Sequence, residues 1–401
     1  MNLVRKIAIG VKQETTQGTA VVPASATDYI EADLDSIDLK PFFEKLQRNV
    51  ALPTLDKAAD AIGKRYKTLS FETELKGSGT AGDETIAGFA GKNALLQAAG
   101  FTLTKATTQA IAKIDVSNGG SGYTSAPVVS FTGGVGSGAA AKAIVSGGAV
   151  VAVLVTNPGS GYTGDPTVVF TGGGGSSAAA TVTRGGTLMY TLVSDPASAN
   201  FYGPGKSVSV ESFFDGHKHI MKGSLAGALA FSMESGKYTK MKFDLMGEYA
   251  SITDVSMPTP TIVTVNPPVF ESAKVGIIDW GGAVISKVDI DMGLKTSLRD
   301  DGQSANSIKG FIIGDRDPKG SAQFECETAA TFDPNALAVA ATQGVVGVRY
   351  GTVGGNLVHI VCQKGQIMEA PYVTREIFRD YNASLKFNQN AGNDSVILIF
   401  S

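Results

Sequence analysis

The sequence is short of the residues that most often carry chemistry. Its 401 residues include two cysteines, three histidines and one tryptophan, and only 18% are charged. Cys326 and Cys362 are too few for a disulfide-stapled scaffold and read best as buried thiols in strands. A formal net charge of −3 lacks the basic excess of a general nucleic-acid binder. The opening MNLVRKIAIGVKQ has no apolar run of signal-peptide length, and GGAVVAVLV at 147–155 is far too short to cross a bilayer. Neither export nor membrane insertion is expected.

Catalytic and metal-binding patterns are equally sparse. His217 and His219 share a strand face, but no third ligand stands at useful spacing. His359 alternates with Val358 and Ile360, which predicts the polar face of a strand. Asp289 and Asp291 read as solvated strand residues. Asp300 and Asp301 fall in the loop LRDDGQ, and Asp315 and Asp317 in the turn GDRDPKG, without the twelve-position pattern of a calcium loop. No serine sits in a strand-to-helix elbow. Trp280, beside Gly281 and Gly282, reads as a packing anchor. No catalytic, cofactor-binding or metal-binding residue is predicted, and the expectation is a non-enzymatic protein.

Glycine, by contrast, is abundant, with 49 residues, 18 of them between 112 and 186. That stretch holds only five charged residues: Lys113, Asp115, Lys142, Asp165 and Arg184. It contains GGSGYTSAPVVSFTGG (119–134) and, 39 residues on, PGSGYTGDPTVVFTGG (158–173). Each copy reads as strand, glycine turn, strand, turn and alanine-rich strand, so 112–186 is predicted to be a small β module. Pro127 and Pro166 open strands. Tyr123 and Tyr162 are expected to lie over glycine backbone or plug the small core. GGVGSG and GGGGSS precede short strands and lack the lysine of a phosphate loop.

The flanking sequence alternates as half-buried strands do. Leu69, Phe71, Thr73 and Leu75 share one face of 67–77, with Ser70, Glu72 and Glu74 on the other. Met241, Phe243 and Leu245 behave likewise, as do Leu225, Leu229, Phe231 and Met233. A helix is predicted from Asp83 and Glu84 to a stop at Gly100. After the proline-rich connector 256–270, the order returns. VISKVDIDMGL (284–294) puts Val284, Val288, Ile290, Met292 and Leu294 on one face. SAQFECETA (321–329) matches the 67–77 strand, with Phe324, Glu325 and Glu327 in the places of Phe71, Glu72 and Glu74. A helix runs from Pro334 to a terminator at Gly344. ASLKFNQNAG echoes TKMKFDLMG, and SVILIFS closes the chain. Strand, helix, hairpin and strand thus occur twice.

With GFIIGDRDPKGSAQFECE (310–327), SKVDIDMGLK, SFETELKG and GKYTKMKFDLMGEY in view, residues 38–111 and 187–401 resemble the major tail tube proteins of phages with long, non-contractile (siphovirus-like) tails. The 112–186 repeat resembles GSGYT add-ons of phage structural proteins. The resemblance implies a mainly β chain: two tandem tail-tube-type domains, each a β-sandwich or barrel with a flanking α-helix. They would span 1–111 with 187–262, and 263–401, the repeat module 112–186 being inserted in the first and facing outward. It also implies homotrimers forming pseudo-hexameric rings stacked into a tube, assembled in the host cytoplasm and carried in the virion. Tape measure protein and phage DNA would occupy the lumen, with tail terminator and baseplate proteins at the ends. Glu72, Glu74, Asp289, Asp291, Glu325 and Glu327 lie on polar strand faces, and some of them would line the channel as a negative wall along which DNA slides during genome ejection. Segments 1–37, 33–53 (with Phe42 and Phe43) and 298–309 would be stacking arms. Two alternatives stay open: another ring-forming virion protein (tail terminator, hub or decoration protein), and a glycan-binding surface β protein using Tyr123 and Tyr162.

Overall fold

A computed structural model describes residues 6–51, 53, 56–193, 206–262, 265–270, 275–277, 285–326, 328–329 and 332–401. Val284, Trp280 with its two glycines, and Glu327 lie outside the described residues. The chain is mainly β. It begins with β1 (Ile7–Gln13), β2 (Tyr29–Ile30), β3 (Asp38–Leu46), β4 (Ala61–Glu74) and helix α1 (Ala90–Ala98). The repeat region supplies β5 (Phe101–Ser121), β6 (Val128–Thr132), β7 (Ser137–Ser146), β8 (Ala149–Ser160), β9 (Thr167–Thr171) and β10 (Ser176–Leu192). Next come β11 (Val208–Phe214), β12 (His217–Glu234), β13 (Lys240–Tyr249) and β14 (Thr253–Asp254). The last stretch holds β15 (Val275–Ile277), β16 (Ile285–Asp291), β17 (Leu294–Asp300), β18 (Ile308–Arg316) and β19 (Lys319–Glu325). It ends with α2 (Pro334–Val339), β20 (Gln343–Tyr350), β21 (Val358–Glu369), β22 (Tyr372–Arg375), β23 (Phe378–Asn388) and β24 (Ile397–Phe400).

Two parts of the chain repeat one set of antiparallel pairings. In the first, β1 pairs β11, β11 pairs β12, β12 pairs β13, β13 pairs β4 and β4 pairs β3. In the second, β15 pairs β20, β20 pairs β21, β21 and β22 pair β23, β23 pairs β19 and β19 pairs β16. The far half of β12 then pairs β16, joining both sets into one sheet ordered β3-β4-β13-β12-β16-β19-β23-β22. No sheet among the described residues closes into a barrel. Among the described residues β3 and β22 each have a partner on one side only, so the expected closure is not seen there.

Period-two patterning gives this sheet its buried face, which includes Phe71, Phe243, Phe231, Ile290 and Phe324. Burying each such side chain is worth about 1.5–3 kcal/mol. In β16 a bulge between Ile285 and Lys287 turns Ile285 inward beside Val288 and Ile290. The same core is closed on its other side by α1, β1, β11 and the strands β10, β24, β21 and β20. Helix α1 starts at Ala90, later than Asp83 suggested, because Gly88 at φ 75° breaks the run. Gly100 at φ 87° follows its end. Helix α2 ends at Val339, ahead of Gly344. Ala341 takes the left-handed turn at φ 50°, and Gly344 belongs to β20.

The repeat module is built on an internal two-fold. Strand β7 of the first copy pairs β8, and β10 of the second pairs β5, with equivalent registers. Ser137 faces Ser160 as Ser176 faces Ser121, and both ribbons bulge at the same alanine pair. Strands β6 and β9 meet across the axis, where Ser130 lies opposite Val169, its own counterpart. Tyr162 packs on Gly136 of the first copy and Tyr123 on Gly175 of the second: a Cβ on either glycine would stand 2.4 Å from the ring. The Thr163 and Thr124 N–H groups donate to Gly134 and Gly173 across the same divide, each at 2.9 Å. Both rings are buried, so neither tyrosine offers a surface for a sugar.

The module also packs tightly on the rest of the chain. β5 and β10 run from it without a break, and β10 pairs β24. Leu398 and Phe400 of β24 face the main core, whereas Ile397 and Ile399 pack into the module's own core. Val361 of β21 meets Ile144, Ala152 and Leu154. His359, expected on a polar face, is wholly buried there. Its Nε2–H donates to the Ala112 carbonyl at 3.2 Å, because the module covers the second face of β21.

Candidate functional site: the open face of the shared sheet

One face of the eight-stranded sheet is left polar, and register sets its rows. One row runs Glu74, Lys240, Ser232, Asp289, Ser321, Ser384. The next runs Glu72, Lys242, Ala230, Asp291, Lys319, Lys386. A third places Glu234, Lys287, Gln323 and Asn382 side by side. Glu325 lies one row further, opposite Asp380. Five of the six acids singled out from the sequence therefore lie on one face, drawn from three strands.

The expected negative wall is not what they form. Lysines are interleaved with the acids in each of the three rows, and local pairs neutralise several of them. Lys240 bridges Asp33 and Glu72, Lys287 lies 2.7 Å from Asp289, and Arg375 reaches Glu325 at 2.9 Å and Asp380 at 2.8 Å. The hydrogen bond from Lys240 holds the Asp33 carboxyl below the usual carboxylate range and raises the lysine in return. The KMK spacing of 240–242 was readable in the sequence, but its alignment with Glu72 and Glu74 depends on strand register. A shallow trough of about 820 Å³ crosses the seam, with Tyr238 and Val269 forming one wall.

Two of the three expected arms are fastened to the chain's own surface. The carboxylate of Glu14 accepts from the N–H groups of Gly18 and Gly223 and the hydroxyls of Ser207 and Ser209, anchoring the N-terminal segment. The 298–309 stretch is the tip of the β17–β18 hairpin. It is held by Arg65 on the Ala305 carbonyl and by Asn306 Nδ2 on the Tyr249 carbonyl at 3.0 Å. Only the β3–β4 hairpin still extends. Phe42 stacks on Tyr66 and Phe43 meets Tyr249 edge-on, yet both stay exposed.

Among the described residues no group of three or more His, Cys, Asp or Glu side chains could hold a metal. His217 pairs with Asp254 at 2.9 Å, and both thiols are unbridged. No protein-family model matches this chain, and no curated protein matches it significantly.

Proposed function

We propose that this chain is the structural subunit of a phage tail tube, forming rings that stack around a DNA channel. The observation that carries the reading is the single sheet built half from each of two equivalently paired strand sets, apolar beneath and charge-balanced on its open face. In that reading the two sets are tandem sandwich domains, and three chains imitate a six-membered ring. The open face lines the lumen. Interleaved lysines and carboxylates there give phosphates no basic stripe to grip and release few counterions, so duplex DNA slides. In this reading the repeat module, which packs on β24 and β21 behind the main core, faces the outside of the tube and leaves the channel clear.

Negative-stain imaging of the purified protein tests this. Regular hollow cylinders wide enough for duplex DNA are expected, as is labelling of phage tails by antibodies against the chain. A monomer at high concentration that forms no cylinders would overturn the reading.

A further inference from the structure

We propose that the repeat module modifies itself at one asparagine: Asn118 cyclises onto the Gly119 amide nitrogen and is opened by water to aspartate and isoaspartate. Its twin, Asn157, is barred from the same reaction. The chemistry belongs to the module alone and stands whether or not the chain forms a tube.

The two sites are matched in everything except the attacking group. Asn118 adjoins the bulge in β5: Ala179 faces Asn118 and Ala180 faces Val116, which leaves Ser117 as the extra residue. Asn157 adjoins the bulge in β8 in the same way, with Ala140 facing Asn157, Ala141 facing Val155 and Thr156 between them. Both asparagines are exposed. Each Oδ1 accepts from the N–H two residues on, Gly120 for Asn118 and Gly159 for Asn157, both at 3.0 Å. Those two glycines take the same turn, at φ 65° and 62°. Only the residue between differs, Gly119 in the first copy and Pro158 in the second. Asn118–Gly119 is also the only Asn-Gly step in the chain.

The hydrogen bond from Gly120 folds the Asn118 carboxamide back over the Gly119 peptide. Loss of the Gly119 amide proton to hydroxide lets that nitrogen attack Cγ. As the new C–N bond forms, negative charge gathers on Oδ1, where the Gly120 N–H already donates and stabilises it. The bond from Cγ to Nδ2 then breaks. Nδ2 takes a proton from water and leaves as ammonia, returning the hydroxide, and a five-membered succinimide remains. Water opens the ring at either carbonyl. Attack at Cγ restores the main chain as aspartate, and attack at the main-chain carbon leaves isoaspartate, linked through the side chain. Glycine leaves the attacking nitrogen unshielded by any Cβ. Proline at 158 has no N–H to lose.

The product bears on the module's packing. Gly120 lies hard against β10, where a Cβ would stand 2.2 Å from the Ser176 carbonyl oxygen. Isoaspartate lengthens the backbone by a methylene just before that contact and puts a carboxylate on an exposed turn. The first copy therefore ages while the second does not.

The test stores the purified full chain at mildly alkaline pH and maps its peptides by mass spectrometry, with the urea-unfolded chain as positive control. The peptide holding Asn118 should exchange its side-chain NH2 for OH and become a substrate for an isoaspartyl methyltransferase. It should do so more than about tenfold faster than the peptide holding Asn157. Gly119→Pro, which copies the second site, should abolish the change. Pro158→Gly, which copies the first, should create it at Asn157. If either variant fails to fold, the comparison of the two asparagines within the unmodified chain decides. Asn118 staying intact in the folded chain overturns the proposal, as does equal conversion at Asn118 and Asn157. An unreactive Asn157 in a folded Pro158→Gly chain overturns it too.

Discussion

The hydroxyl of Ser232 donates to the Asp289 carboxylate at 2.7 Å across the seam between β12 and β16. Directly beneath, Phe231 faces Ile290, and both are buried. The polar pair is open to water and the apolar pair is not. Ser232→Ala is expected to cost about 0.5–1.5 kcal/mol, whereas Phe231→Ala should cost about 3–5 kcal/mol. Urea unfolding of the two variants measures the difference. Near-equal losses would show that the seam is held by its surface.

Lys92 on α1 is buried, with its ammonium 2.9 Å from Glu31 and 2.9 Å from the Glu74 carbonyl, while Lys76 reaches Glu31 at 2.7 Å. Burial depresses the Lys92 pKa, and Glu31 opposes that effect. Glu31→Ala should leave the buried Lys92 ammonium without a carboxylate, while Lys76 keeps Glu74 at 3.2 Å, and cost about 3–5 kcal/mol. Replacing Lys92 and Glu31 together by Met and Leu should recover most of that loss in thermal unfolding.

Burial and the neighbouring Arg349 push the His359 pKa down to about 3. Its Nε2 holds a proton for Ala112, and Nδ1 has no partner to receive a second. The folded chain therefore resists a proton that the unfolded chain accepts near pH 6.5. This contribution to stability is complete above that pH and is lost as pH falls toward about 3, by at most about 1.4 kcal/mol per pH unit. His359→Gln should flatten that part of the stability profile. An unchanged slope would place the acid sensitivity elsewhere.

Gly136 and Gly175 lie under Tyr162 and Tyr123, and neither has room for a methyl group. Gly136→Ala and Gly175→Ala should each cost about 1–3 kcal/mol through overpacking. Hydrogen exchange should rise in β5–β10 in both variants. Loss confined to the mutated copy would contradict the reciprocal packing.

If the proposed tube forms, replacing Asp289, Asp291 and Glu72 on the open face by lysine should leave assembly intact and make it retain DNA. Retention should fall steeply with added salt, since lysine–phosphate contacts release counterions. Indifference to the three lysines would argue that this face does not meet DNA.

Much of this was legible locally. Alternation in 67–77, 240–247 and 287–292 gave the buried face correctly, and the 39-residue spacing marked the module and its tyrosines. What stayed hidden depended on distant partners. Val358, His359 and Ile360 announce a two-faced strand, but only the module folding over β21 makes the histidine face dry. Loop 298–309 looks unattached until Arg65 and Tyr249 are brought to it. The acids were visible and their lysine neighbours were not, because rows across a sheet are fixed by register and not by spacing along the chain. Helix ends erred where Gly88 and Ala341 took positive φ.

The two-fold within the module sets a rule of parity. Each 39-residue copy presses its ring onto a glycine that only its twin supplies, so one copy by itself has an empty socket and a stranded aromatic. Two copies are therefore the smallest unit that seats both rings, and an odd copy would leave one aromatic without its socket.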